Sequence, residues 1–251
     1  MATTFIGIDL AWKTEKNHTG MAVLREANSG VELISYSHDM FSSQGIEAYL
    51  SDYVTDNTVV AIDAPLIIAN TSGQRECERA VSQEFGSREA SAHSSNLSNA
   101  SITSPNFAKK LATLGFEHGA IPEVARRQSG RWMFEVYPHA AQVVLFDLKR
   151  TIKYKKGNIA QKRMGLEELR TLIRTKLTAS EPALRRNDML LALLDQDIEQ
   201  LKGTALKQYE DTLDAVICAF LAAYYWWWGI ERNKCIGNVR SGYIINPTYA
   251  L

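Results

Sequence analysis

The first 66 residues alternate between short apolar runs and polar turns, a pattern that predicts strands followed by a helix. Apolar runs at residues 5–10, 19–24 and 31–36 predict three strands, of which the first two form a hairpin. Apolar residues recur at helical spacing after Ser43, so we expect a helix there. Residues 58–65 are almost continuously apolar, which is typical of a parallel strand covered on both faces. The order predicts an α/β fold built on a mixed sheet.

The middle of the chain interrupts this pattern. Residues 67–131 include eight serines between Ser82 and Ser104, which predicts a lid or binding loop inserted into a single domain spanning residues 1–251. Residues 132–138 predict a fifth strand ended by proline. Helical periodicity then returns, and the C-terminal helices are predicted at residues 161–177, 187–201 and 204–228. The tail, 233–251, is predicted to be loop-like with a short terminal strand.

Composition narrows the class of protein. The chain has 28 Lys and Arg against 28 Asp and Glu, so its formal net charge is zero and it lacks the strongly basic field of many nucleic-acid-binding domains. Its three cysteines are far apart, which excludes a CxxC zinc site and a disulfide framework. The longest charge-free run, residues 215–230, has 16 residues, fewer than the ~20 needed to cross a bilayer. With no basic signal-peptide region, these features predict a cytoplasmic protein that does not enter a membrane.

Carboxylates interrupt several of the apolar elements. Asp9 and Asp63 end the first and fourth strands, and adjacent strands would bring them together. Glu135 lies in the fifth strand, where its alternative role is to pair with an arginine. Asp211 and Asp214 lie on one stripe of the last helix. They either face the other carboxylates or are solvated surface residues. Because oxygen ligands suit Mg²⁺ or Mn²⁺, the convergent carboxylates predict a two-metal site for phosphodiester cleavage.

The positive charge is concentrated in one segment. Residues 149–163 carry seven Lys and Arg and no acidic residue; we name this segment the basic connector. It is either a solvated loop or a phosphate-binding segment in which Lys153, Lys155 and Lys156 are the candidate contacts. Arg75 is a further candidate phosphate ligand, or it anchors the lid by an ion pair. His139 is a candidate proton shuttle.

Several motifs carry a family resemblance. They are Gly7-Ile8-Asp9-Leu10-Ala11-Trp12 with Asn17-x-Thr19-Gly20, Ile62-Asp63-Ala64-Pro65-Leu66, Arg75-x-Cys77-Glu78, Glu135-x-Tyr137-Pro138 and Asp211-x-x-Asp214-Ala215-x-x-Cys218-Ala219. Over most of the chain the sequence resembles domain of unknown function 429, a family regarded as predicted RNase H-like nucleases. The resemblance implies a five-stranded RNase H-like mixed sheet with helices on both faces. It also implies metal ligation by Asp9, Asp63 and Asp214, with Asp211 or Glu135 as a fourth carboxylate.

The expected function is therefore metal-dependent hydrolysis of a phosphodiester, with Mg²⁺ or Mn²⁺ as the cofactor. The expected partner is a nucleic acid or a nucleotide-like phosphodiester, and the chain is a candidate homo-oligomer. Two alternatives stay open. One is an actin-like-fold ATPase or small-molecule phosphotransferase, and the other is a non-catalytic binding or regulatory module with a structural ion.

Overall fold

The computed structural model describes residues 2–11, 18–40, 43–99, 102–120 and 126–249. Within them the strands are β1 (Thr4–Asp9), β2 (Thr19–Ala27), β3 (Gly30–Met40), β4 (Thr58–Asp63), β5 (Glu117–His118), β6 (Arg131–Glu135), β7 (Ala183–Arg185), β8 (Asn233–Asn238) and β9 (Gly242–Pro247). The helices are α1 (Ser43–Ser51), α2 (Glu76–Phe85), α3 (Ser104–Thr113), α4 (Pro138–Leu145), α5 (Ile159–Leu172), α6 (Asp188–Leu194) and α7 (Gly203–Trp228). The motif residues Trp12 and Asn17 lie outside the described residues.

The main sheet is mixed, with strand order β5-β6-β4-β1-β2-β3-β7. Strands β1, β2 and β3 pair antiparallel, whereas β4 pairs parallel with both β1 and β6. The fold is therefore α/β with a mixed sheet, but the predicted five-strand count is wrong because the described sheet has seven strands. The two extra strands, β5 and β7, have only two and three residues, so they are too short to show an apolar period.

Helices cover both faces of this sheet. Side chains alternate along each strand, so Phe5 packs toward α7 while Ile6 packs with α1 and α3. Helix α7 lies so close to β1 that a Cβ on Gly7 would fall 2.1 Å from the backbone oxygen of Ala215. The glycine on the strand and the small residues on the helix together allow this approach. This close contact fixes the distance between α7 and β1.

The remaining segments differ from the sequence expectation in three places. The tail is an ordered hairpin of β8 and β9, in which two glycines at positive φ, Gly237 and Gly242, flank the turn. The helix predicted at 187–201 ends at Leu194, because Asp195 follows as its C-cap and Asp197 caps a separate 3-10 turn. Pro138 was predicted to end the fifth strand. In the structure it begins helix α4, which the sequence analysis did not predict.

Helix α7 is the apolar helix of the described chain whose length and composition match a membrane span. The segment that matches is Gly203–Glu231, and 89% of its most apolar 18-residue stretch is buried inside the fold. The burial is what packing against β1, β2 and β4 requires of a core helix.

Candidate functional site

Two aspartates meet at the carboxyl ends of the central parallel strands. Asp9 is the last residue of β1 and Asp63 the last of β4, and the two are direct register partners in the parallel pair. Neighbouring residues of a sheet point to the same face, so both side chains point toward α7, as Phe5 does. The predicted meeting of Asp9 and Asp63 is confirmed.

A third aspartate reaches the same place from α7. Asp214 is fully buried and accepts a 2.6 Å hydrogen bond at Oδ1 from the hydroxyl of Tyr154. Tyr154 in turn accepts a 2.9 Å hydrogen bond from the side-chain amide of Gln142 on α4. At its other oxygen, Asp214 lies 2.7 Å from the ammonium of Lys155. That oxygen has no hydrogen-bond partner of acceptable geometry among the described residues, so the contact with Lys155 is an ion pair alone.

Asp211, the other aspartate of the α7 motif, contacts a different lysine. Lys207 Nζ lies 2.6 Å from both Asp211 Oδ1 and Glu210 Oε1. The backbone of Asp211 packs against Gly20 of β2, where a Cβ would fall 2.2 Å from the carbonyl oxygen of Asp211. The carboxyl groups of Asp211 and Asp9 are also close enough that each acts on the pKa of the other. Asp211 therefore lies beside the aspartate cluster rather than in solvent.

The electrostatics of this cluster disfavour full ionisation. Burial, together with the charge of Asp214, raises the pKa of Asp9, and the nearby lysines only partly oppose the rise. Burial and the charge of Asp9 raise the pKa of Asp63 well above its usual range. Burial and the same charge raise the pKa of Asp211 to about 8. Burial alone would lower the pKa of Lys155, but the charges of Asp214 and Asp9 hold it well above the usual range. The site has more negative charge than its own lysines compensate.

A cavity of about 180 Å³ opens above the cluster. Asp9, Asp63 and Lys155 line it, and the segment that follows α2 contributes Ser95 to its wall. His139 lines it as well, and its Nε2 is buried without a hydrogen-bond partner among the described residues. Burial and the charge of Lys155 lower the pKa of His139 to about 4, so the imidazole is neutral at pH 7. A neutral imidazole beside a cavity can accept or pass on a proton.

Glu135 lines the same cavity as Asp9 and Asp63, and its charge contributes to the raised pKa of Asp63, but an arginine holds its carboxylate. Its register partner on β4 is Ile62, one residue before Asp63, so its side chain leaves the sheet on the opposite face. There its carboxylate receives two hydrogen bonds from Arg75, at 2.9 and 2.5 Å, and a third from the backbone N–H of Leu66 at 3.0 Å. The arginine-paired alternative for Glu135 is the one that this geometry matches.

Arg75 lines this cavity as well, but two glutamates hold its guanidinium. Its side chain is 2% exposed, and its Nε donates to Glu78 at 2.9 Å in addition to the contacts with Glu135. Glu78 also accepts a 3.1 Å hydrogen bond from the backbone of Ser95. The ion pairs therefore anchor the inserted segment at the cavity wall, which was the alternative role for Arg75.

The basic connector has no single role. Lys153 pairs with Glu89 at 3.0 Å on the surface, whereas Lys155 points inward to Asp214. Lys153 and the exposed Lys156 line a second, more open cavity of about 420 Å³ that does not include the aspartates. Of the three lysines proposed to hold phosphate, Lys155 is the one at the aspartate site.

Two site residues were not singled out from the sequence. They are Tyr154, which donates to Asp214, and Gln142, which donates to Tyr154. The signal for Gln142 was present, because it is the one amide in the otherwise apolar run of α4. The signal for Tyr154 was an aromatic residue within a basic segment, which indicates neither burial nor a partner.

Comparison with known proteins adds a family but no described activity. No curated protein and no solved structure matches this chain. A family model described as "Protein of unknown function (DUF429)" matches residues 7–236. The matched region includes Asp9, Asp63 and Asp214, together with the network that surrounds them. The chain therefore belongs to this family of proteins of unknown function.

Proposed function

We propose that this protein is a metal-dependent phosphodiesterase of the RNase H-like class. The observation that carries the proposal is that Asp9 and Asp63 line a cavity at the carboxyl ends of β1 and β4, while Asp214 beneath Lys155 is close enough for its charge to act on both. The three antiparallel strands followed by parallel β4 and β6 also agree with the fold that the family resemblance implies. The resemblance expects an acidic residue on the first strand, the fourth strand and a late helix, and these three aspartates occupy those elements.

The residues of the site fit a hard divalent cation in their chemistry. All three donors are carboxylates, which suit Mg²⁺ or Mn²⁺. The raised pKa of Asp9 and Asp63 indicates an uncompensated negative field that a cation would offset. Among the described residues no group of three or more His, Cys, Asp or Glu side chains is already arranged around one point. Lys155, which contacts Asp214, supplies positive charge to these carboxylates.

The roles of the residues follow from these contacts. Asp9, Asp63 and Asp214 would hold the ion, which when bound lowers the pKa of a water and stabilises charge on the leaving oxygen. Tyr154 fixes the carboxylate of Asp214 by donating to Oδ1. His139, which lines the cavity as a neutral imidazole, would accept a proton from a water or return it to a leaving group. The anchored segment around Ser95 limits the access of solvent.

The test is metal-dependent cleavage by the full chain. Purified protein is incubated with RNA, DNA, hybrid, branched and small phosphodiester substrates in Mn²⁺ or Mg²⁺, and cleavage is expected with at least one class. Asp9→Asn and Asp63→Asn should each lower the rate by more than the roughly 10–100-fold that loss of an outer partner costs. Asp52→Asn, an exposed aspartate on the turn after α1, is the matched control and should leave the rate unchanged.

The alternatives give different results in the same assay. Hydrolysis of ATP without cleavage of any phosphodiester would favour the hypothesis of an ATPase or small-molecule phosphotransferase. Binding of Mn²⁺ that Asp9→Asn abolishes, with no turnover of any substrate, would favour a module with a structural ion. Absence of both metal binding and cleavage would refute the proposal.

A further inference from the structure

The position of Lys155 has a consequence for metal binding. Its ammonium lies 2.7 Å from Asp214 Oδ2, and its charge also acts on Asp9 and Asp63. The neighbouring Tyr154 is completely buried and donates to the other oxygen of Asp214, so the backbone at this point is fixed close to the cluster. Lys155 therefore lies where its positive charge offsets the charge of the three aspartates.

The charges around the cavity show what Lys155 alone can compensate. The ammonium contacts Asp214 and is acted on by the charges of Asp9 and Asp63, so two negative charges remain when all three aspartates are ionised. The other cations near the site are committed elsewhere, because Arg75 is bound by two glutamates and Lys207 contacts the second acidic pair of α7. A divalent ion offsets this excess better than one ammonium does. Lys155 is thus the cation whose place a metal would take.

The ammonium of Lys155 is also able to move away from Asp214. Its side chain is 26% exposed, so its head group has a path to water. The contact with Asp214 Oδ2 lacks hydrogen-bond geometry, and a lysine ammonium on a flexible stem adapts readily to other positions. An ammonium and a divalent ion that share one carboxylate oxygen would repel each other strongly at such short range. The two occupants therefore exclude each other.

We propose that Lys155 is a built-in counter-ion that competes with the divalent cation for Asp214. It neutralises the carboxylate while the metal is absent and must withdraw before the metal binds. This inference rests on the proposed function, because it assumes that the aspartates bind a metal. The cost of withdrawing the lysine lowers the apparent affinity for metal, as for any ligand that needs a minor conformation.

The first experiment measures Mn²⁺ binding without substrate, from the electron paramagnetic resonance signal of free Mn²⁺ and from thermal shifts. Lys155→Met should bind Mn²⁺ at least about tenfold more tightly than wild type, which corresponds to about 1.4 kcal/mol. Lys155→Arg keeps the charge and should bind as weakly as wild type. Lys176→Met, at an exposed lysine of the turn after α5, is the control and should not change the affinity.

A second experiment needs no variant and so does not depend on folding. Wild-type protein is acylated with an amine-reactive ester, with and without Mn²⁺, and modification of each lysine is followed by mass spectrometry. Acylation of Lys155 should increase severalfold with Mn²⁺, whereas acylation of the exposed Lys176 should stay constant.

The outcomes separate the inference from the function on which it rests. If Asp9→Asn abolishes Mn²⁺ binding but Lys155→Met binds no more tightly than wild type, the inference is overturned and the metal site stands. Unchanged or reduced acylation of Lys155 in saturating Mn²⁺ overturns it equally. If neither wild type nor Lys155→Met binds Mn²⁺, the proposed metal site is wrong and the inference falls with it.

Discussion

Replacing Arg75 by methionine tests whether Glu135 is structural or catalytic. Arg75 is 2% exposed and lies between Glu135 and Glu78, to which it donates its charged hydrogen bonds. Methionine occupies a similar volume and removes the charge, so two buried carboxylates lose their cation. Removal of one partner from a buried ion pair costs about 3–5 kcal/mol. We expect a loss of unfolding free energy in this range at pH 8.

The size of the loss should depend on pH in a defined direction. Burial already raises the pKa of Glu135 although Arg75 opposes the rise, and loss of the arginine charge must raise it further. A carboxyl that is protonated in the folded state no longer needs the cation. The loss caused by Arg75→Met should therefore be smaller at pH 5 than at pH 8. Arg75→Met/Glu135→Gln, which also neutralises the partner, should be more stable than Arg75→Met alone at pH 8.

The assay is urea unfolding followed by circular dichroism at both pH values. Arg79→Met is the matched control, since Arg79 is an exposed arginine one turn further along α2 and should cost less than about 1 kcal/mol. Glu135→Gln should bind Mn²⁺ as wild type does, because Arg75 and the backbone N–H of Leu66 already hold the carboxylate of Glu135. A loss below 1 kcal/mol for Arg75→Met at pH 8, or loss of Mn²⁺ binding in Glu135→Gln, would refute this reasoning.

Three further predictions concern the helix that carries Asp214. Gly7→Ala should cost at least about 1–3 kcal/mol in urea unfolding because its Cβ would overlap backbone atoms of α7, and a smaller loss would contradict the close packing. The metal-free protein should lose stability as pH rises from 5 to 8, since raised carboxyl pKa values mean that the folded state binds more protons than the unfolded state. Asp211→Asn should flatten this slope by up to about 1.4 kcal/mol per pH unit, and an unchanged slope would exclude Asp211 as its source. Tyr154→Phe should cost about 1.5–3 kcal/mol by removing the hydrogen bond to Asp214, and thermal or urea unfolding that matches wild type would contradict that role.

The part of the site that the sequence predicts is the part fixed by regular geometry. Asp9 and Asp63 each end a strand, and adjacent parallel strands that end together must bring them together. The alanines of α7 likewise predict close approach to the sheet, which Gly7 permits. Side-chain alternation along a strand and the helical period are local rules, so they carry over directly from sequence to structure.

The features that sequence reasoning missed depend on a single residue of register or on non-local contacts. Glu135 looked equivalent to Asp63, because both lie at the end of an apolar strand. Its pairing with Ile62 rather than with Asp63 reverses the face, and no pattern within β6 reveals the register. The edge strands β5 and β7 and the tail hairpin depend on distant partners, so their short segments carry little signal of their own.

The basic connector shows why a local charge count does not establish a nucleic-acid surface. Its seven cations stand together in sequence, but folding commits Lys155 to Asp214, Lys153 to Glu89 and Arg163 to Glu199. Binding of a polyanion grows with the number of cations that remain free to neutralise phosphates. Arg150 also pairs with Glu89, so fewer than half of the seven cations are left to track a long backbone, and the aspartate cavity of about 180 Å³ is small. Zero net charge and inward pairing of the connector therefore favour, within the proposed activity, a short or nucleotide-like phosphodiester over an extended duplex.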